Sequence, residues 1–81
     1  MPTLDFVGTT RAHRGLAVVQ LHEELWRVTL PEGDVLGYVE RFRVTGGLRY
    51  RVKRLLARQR RFMVDGEFWS MDDALECFRS L

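Results

Sequence analysis

Residues 24–35, ELWRVTLPEGDV, decide the fold. Trp26, Val28 and Leu30 alternate with Leu25, Arg27 and Thr29, the period of two expected of a half-buried strand, whose successive side chains leave opposite faces. Pro31-Glu32-Gly33-Asp34 then interrupts the run, because Pro presets φ at the first corner of a turn and Gly tolerates positive φ. Strand-like sequence resumes at Val35, so the two runs are predicted to form an antiparallel hairpin.

The returning strand, residues 35–43, carries Gly37 among Val35, Leu36, Tyr38, Val39 and Phe42, and its apolar residues fit no single alternation. A β-bulge reconciles them. Thr45-Gly46-Gly47 marks the next turn, and residues 48–55 follow as a strand with Leu48, Tyr50 and Val52 opposed to Arg49, Arg51 and Lys53. Before the hairpin, residues 16–21 (LAVVQL) favour a strand through Val18 and Val19, with a buried helical turn as the alternative that six residues leave open. Beyond it, Phe62-Met63-Val64 reads as a short strand ended by an Asp65-Gly66 turn.

A helix start is signalled at Ser70, an N-cap serine with Asp73 three positions later, as in a capping box. Asp72 and Asp73 both suit the positive end of the helix dipole. Met71, Ala74, Leu75, Phe78 and Leu81 form one apolar stripe at helical spacing. Trp69, just before the cap, is expected to staple the helix entry to the sheet. The predicted fold is α+β: a three- or four-stranded antiparallel sheet packed against one carboxyl-terminal helix. A flexible arm over residues 1–15, poor in periodic apolar residues, precedes a single domain over residues 16–81.

With 81 residues the chain has room for one domain, and a hydrophobic share of 46% is too high for a disordered segment. Cys77 is the only cysteine, which excludes an intramolecular disulfide and suits a reducing, cytoplasmic setting. No stretch resembles a secretory signal or a membrane span. His13 and His22 lack the company of a third histidine or a cysteine pair, so no metal site is expected and both read as surface histidines. Gly46-Gly47 lacks the Lys-Ser/Thr of a phosphate loop, and Cys77 lacks a histidine partner. No enzymatic activity, catalytic residue or cofactor is assigned.

Charge carries the functional signal. Formal net charge is only +2, yet nine of the 13 Lys and Arg residues fall between positions 41 and 61, with no Asp or Glu among them. They are Arg41, Arg43, Arg49, Arg51, Lys53, Arg54, Arg58, Arg60 and Arg61, and with Arg27 they form the candidate nucleic-acid site. Cations on a sheet face neutralise phosphates and release counterions. Alternation places Arg49, Arg51 and Lys53 on the face opposite Tyr50 and Val52, where reversal of Arg51 and Lys53 is expected to leave the fold intact. The interleaved aromatics Phe42, Tyr50 and Phe62 are read as core rather than base-stacking groups.

Residues 66–74, Gly-Glu-Phe-Trp-Ser-Met-Asp-Asp-Ala, resemble the Gly-x-Phe-x-Thr-x-Glu-Glu-Ala ending of the plant ethylene-response-factor DNA-binding domain. Phe78 matches that family's helix aromatic. The layout is also similar to the amino-terminal arm-binding domains of tyrosine recombinases. These resemblances imply a sheet that enters the major groove, with Arg27, Arg49, Arg51 and Lys53 as contacts. The plant family's strand motif rich in Arg, Gly and Trp is missing from residues 26–42, so no sequence specificity transfers.

The expected partner is a nucleic acid, DNA ahead of RNA, because the Lys/Arg-Gly-aromatic pattern of the common RNA-recognition sheet is absent. The alternative is a regulatory or protein-interaction module that binds an acidic partner or self-associates through the sheet. Monomer and homodimer both stay open.

Overall fold

The computed structural model describes residues 9–79 as six strands, one turn of 3-10 helix and one α-helix. The strands are β1 (Thr9–His13), β2 (Leu16–His22), β3 (Leu25–Thr29), β4 (Val35–Val44), β5 (Gly47–Leu56) and β6 (Arg61–Phe68), and helix α1 (Met71–Arg79) follows. Each strand pairs antiparallel with the next in the chain. Sheet order is therefore chain order, with β1 and β6 at the two edges.

The expectation of three or four strands is thus corrected to six. One addition, β1, falls in the segment read as an arm. Residues 1–8 of that arm lie outside the described residues, but from Thr9 the chain pairs with β2, so the sheet begins well before Leu16. Arg14 and Gly15 both take positive φ, 49° and 91°, the combination that turns a two-residue hairpin with the natural twist of its strands.

The other difference is β6. Val52 faces Gly66 and Lys53 faces Val64, which leaves Asp65 as an extra residue. Asp65-Gly66 is therefore a bulge within an eight-residue strand rather than a turn.

The β3–β4 hairpin forms as predicted. The Leu30 carbonyl accepts from Gly33 N at 2.8 Å, and Leu30 N donates to the Asp34 carbonyl at 2.9 Å. The bulge near Gly37 is present too, since Val28 faces Gly37 while Thr29 faces Val35. Leu36 is the extra residue. This lets Leu36 and Val39 both meet the core while Tyr38 and Phe42 take the other face.

One face of the sheet is a floor of β-branched side chains, Val18, Val28, Val39 and Val52, and α1 lies across it with Ala74, Leu75 and Phe78 buried. Ser70 Oγ accepts from Asp73 N at 3.1 Å, so the serine caps the helix as its spacing predicts. Glu76 fastens α1 to the β1–β2 turn. His13 Nε2 lies 3.0 Å and Arg14 Nη1 3.3 Å from Glu76 Oε2, and Arg79 Nη1 lies 3.0 Å from Oε1. His13 is thus a half-buried clasp rather than an ordinary surface histidine. Its hydrogen bond, followed by those two arginines, holds the Glu76 carboxyl below the usual carboxylate range.

Trp69 departs from its expected core role. It is 58% exposed, and its ring packs on the Arg49 guanidinium at 4.4 Å.

Candidate nucleic-acid interface

Antiparallel pairing sorts the ten candidate cations by face. Arg27, Arg49, Arg51 and Lys53 occupy the face away from α1, because their neighbours Val28 and Val52 point into the core. Arg41 and Arg54 lie on the helix side, opposite Tyr50 and Gly37, and Arg43 follows Arg41 by alternation. Arg58, Arg60 and Arg61 cluster where the 3-10 turn Ala57–Gln59 leads into β6.

Arg49, Arg51 and Lys53 thus share one face, as alternation requires. That face is not purely basic. Glu40 of β4 and Glu67 of β6 stand directly across from Arg51 on either side. Arg51 Nε lies 3.1 Å from Glu67 and its Nη1 3.5 Å from Glu40, whose second oxygen meets Lys53 Nζ at 3.1 Å. The Arg51 guanidinium also stacks on Phe42 at 4.2 Å. Arg49 donates to the Glu67 carbonyl at 2.6 Å and is covered by Trp69.

The same holds on the helix side. Arg54 bonds both oxygens of Asp65, at 2.8 and 3.3 Å. Arg41 bonds Glu24 at 3.1 Å and the Glu23 carbonyl at 2.8 Å, and the Glu24 hydrogen bond raises its pKa further above the ordinary guanidinium value. A stretch free of acids in linear order is thus interleaved with acids in space. Strand register supplies them.

Position 51 turns this into a measurable expectation. Arg51→Glu places a third carboxylate between Glu40 and Glu67, so two cross-strand attractions become two repulsions and the stacking on Phe42 is lost. Exposed ion pairs contribute at most about 1 kcal/mol each, and like-charge pairs across strands cost a similar amount. The variant should lose about 1–3 kcal/mol in urea unfolding, with Arg51→Met losing less. This replaces the expectation that reversal of Arg51 leaves the fold intact.

Arg58 and Arg60 have no acidic partner among the described residues, and Arg61 reaches only Gln59 Oε1, at 3.0 Å. Arg27 and Arg43 are also without acidic partners among them. Arg60 sits in the left-handed region at φ 53°, ψ 44°, with its N–H bonded to the Ala57 carbonyl. Such backbone costs a non-glycine residue roughly 1–2 kcal/mol.

The aromatics divide. Tyr50 packs against the core, but Phe42 and Phe62 lie on the open face, correcting their expected core role. Phe62 meets Tyr38 edge-on at 5.4 Å.

On the helix side, a hollow of about 320 Å³ opens among residues that include Arg11, Trp26, Arg41 and Tyr50, with Arg41 already committed to Glu24. No group of three or more His, Cys, Asp or Glu side chains suited to a metal occurs among the described residues. Burial pushes the Cys77 thiol up, away from the reactive thiolate. None of the described helices is long and apolar enough to cross a membrane. No family model matches the chain, and neither curated proteins nor solved structures include a significant match.

Proposed function

We propose that the protein binds nucleic acid, duplex DNA first, by gripping phosphates with the Arg58, Arg60 and Arg61 turn rather than with the middle of the sheet. The observation that carries this reading is that these three guanidinium groups lack acidic partners among the described residues, in a chain that pairs Arg41, Arg51, Lys53 and Arg54 with carboxylates. Arg60 adds support. Glycine would hold its left-handed backbone at lower cost, so a role in the guanidinium accounts for an arginine there. Arg27 and Arg43 extend the basic surface, and phosphate contacts of this kind carry no base specificity.

Fluorescence anisotropy of a labelled duplex tests the reading. With three phosphate contacts, log K falls by about 0.9 per contact per log unit of salt, so raising salt from about 50 to about 200 mM weakens binding roughly 40-fold. Combining Arg58→Ala, Arg60→Gly and Arg61→Ala should remove this salt dependence. Arg60→Gly alone should weaken binding while leaving the fold as stable as before or more so. Absence of duplex binding at low salt rejects the DNA reading. If polyglutamate binds the turn instead, the module meets acidic proteins; if single-stranded RNA alone binds, the polyanion is RNA.

A further inference from the structure

Phe62, Met63 and Val64 are exposed by 48%, 38% and 53%, three consecutive large apolar side chains on an edge strand. Consecutive strand residues alternate faces, so among the described residues β6 is uncovered above, below and beside at this point. Edge strands are ordinarily protected by lysine, proline, an inward charge or a covering element. Among the described residues none of these interrupts Phe62 to Val64, and the bulge of β6, another such protection, begins only at Asp65. The opposite edge differs, because β1 presents Thr10, Arg11 and Ala12.

We propose that β6 pairs with β6 of a second copy of this chain, antiparallel about a two-fold axis at Met63, so that two six-stranded sheets become one. The charges on the strand favour this occupant and this direction. Arg60 and Arg61 lie at one end of the apolar run and Asp65 and Glu67 at the other. Antiparallel self-pairing sets the basic end of each copy beside the acidic end of the other, whereas parallel pairing sets like against like.

The bulge selects the register. A centre at Met63 puts Phe62 across from Val64 of the second copy on the open face, and Arg61 across from its Asp65 on the helix side. Asp65 already accepts from Arg54 on that side. A centre at Val64 puts Arg61 across from Glu67, but the extra residue at Asp65 turns Glu67 to the open face, where it meets Arg51. The opposite charges would then lie on different faces. Centring on Met63 also brings its side chain against its own counterpart, an apolar contact on the second face.

The pairing does not depend on nucleic-acid binding, and it sets only Arg61 of the turn beside a carboxylate, leaving Arg58 and Arg60 of each copy to face phosphates. It would place the two arginine turns of a dimer on one continuous sheet, about 20 Å apart by six residues of strand rise.

Sedimentation velocity on the full chain tests the proposal, with a species of twice the 9.5 kDa chain mass expected. Val64→Lys should yield monomer with an unchanged circular dichroism spectrum, because the side chain is exposed and its like-charge pairing with Lys53 across the strands shifts the folding equilibrium at most about fivefold, or about 1 kcal/mol. A monomeric wild-type chain at its highest soluble concentration overturns the proposal. So does a dimer that survives both Val64→Lys and Phe62→Lys, or an open-ended assembly. Cysteine scanning in a Cys77→Ser background reads the register. Met63→Cys should form an interchain disulfide under mild oxidation more readily than Phe62→Cys or Val64→Cys, and the reverse order overturns the two-fold axis at Met63.

Discussion

Gly37→Ala is expected to abolish the native fold. A methyl group at this position would clash with the Lys53 carbonyl oxygen and lie 2.9 Å from Phe78 Cε1 and 3.0 Å from Arg54 Cα. Two of these atoms are backbone, and β4 is locked between β3 and β5, with Val28 facing Gly37 on one side and Arg54 on the other. Relief therefore requires opening the centre of the sheet rather than turning a side chain.

Overpacking ordinarily costs about 1–3 kcal/mol when neighbours can yield, and more where they cannot. A domain of this length has roughly 4–12 kcal/mol in total. The variant should lose the dispersed amide spectrum of the wild type. Phe78→Ala relieves only one of the three contacts and should fail to rescue it. A Gly37→Ala protein that unfolds at the wild-type urea concentration would show that β4 and β5 do not approach as described.

Leu75→Ala should cost nearly as much by the opposite mechanism. Leu75 is fully buried between α1 and the valine floor and is the largest side chain with no exposure. Its truncation removes the transfer free energy of the lost methyl and methylene groups and leaves a cavity that the rigid sheet cannot fill, about 2.7–5 kcal/mol in comparable cores. The melting temperature should fall by more than about 10 °C, since each kcal/mol shifts it by about 4–8 °C in a domain of this size. Leu75→Met, which conserves volume, should cost less than about 1.5 kcal/mol. Equal losses for both variants would mean that the helix is not packed on this residue.

What was legible in the sequence was local chemistry. Pro31 and Gly33 announce their turn, Ser70 its helix, and the mixed apolar pattern around Gly37 its bulge. Strand β1 was illegible because an edge strand buries little and shows no clear alternation, and because its turn uses Arg14, where asparagine would have been an obvious signal. Asp65-Gly66 has the composition of a turn, and only pairing with β5 distinguishes a bulge from a reversal.

The charge balance of the sheet face was illegible for a different reason. A cluster of cations is a property of the linear chain, but the charge of a sheet face depends on which strands lie side by side. Glu40 is 11 residues before Arg51 in the chain and Glu67 is 16 after it, yet both are its immediate neighbours. Among the described residues Arg58, Arg60 and Arg61 escape this compensation, because their turn joins the last two strands at a rim.

The sequential order of the strands bears on how the protein is made. Each strand can join its predecessor as it emerges, with no long-range closure to wait for. The helix that covers the valine floor is synthesised after all six strands. A nascent chain interrupted before Met71 would carry a complete sheet with that floor bare, a state in which nascent proteins are prone to aggregate. Emergence of α1 is therefore the step that covers this apolar floor.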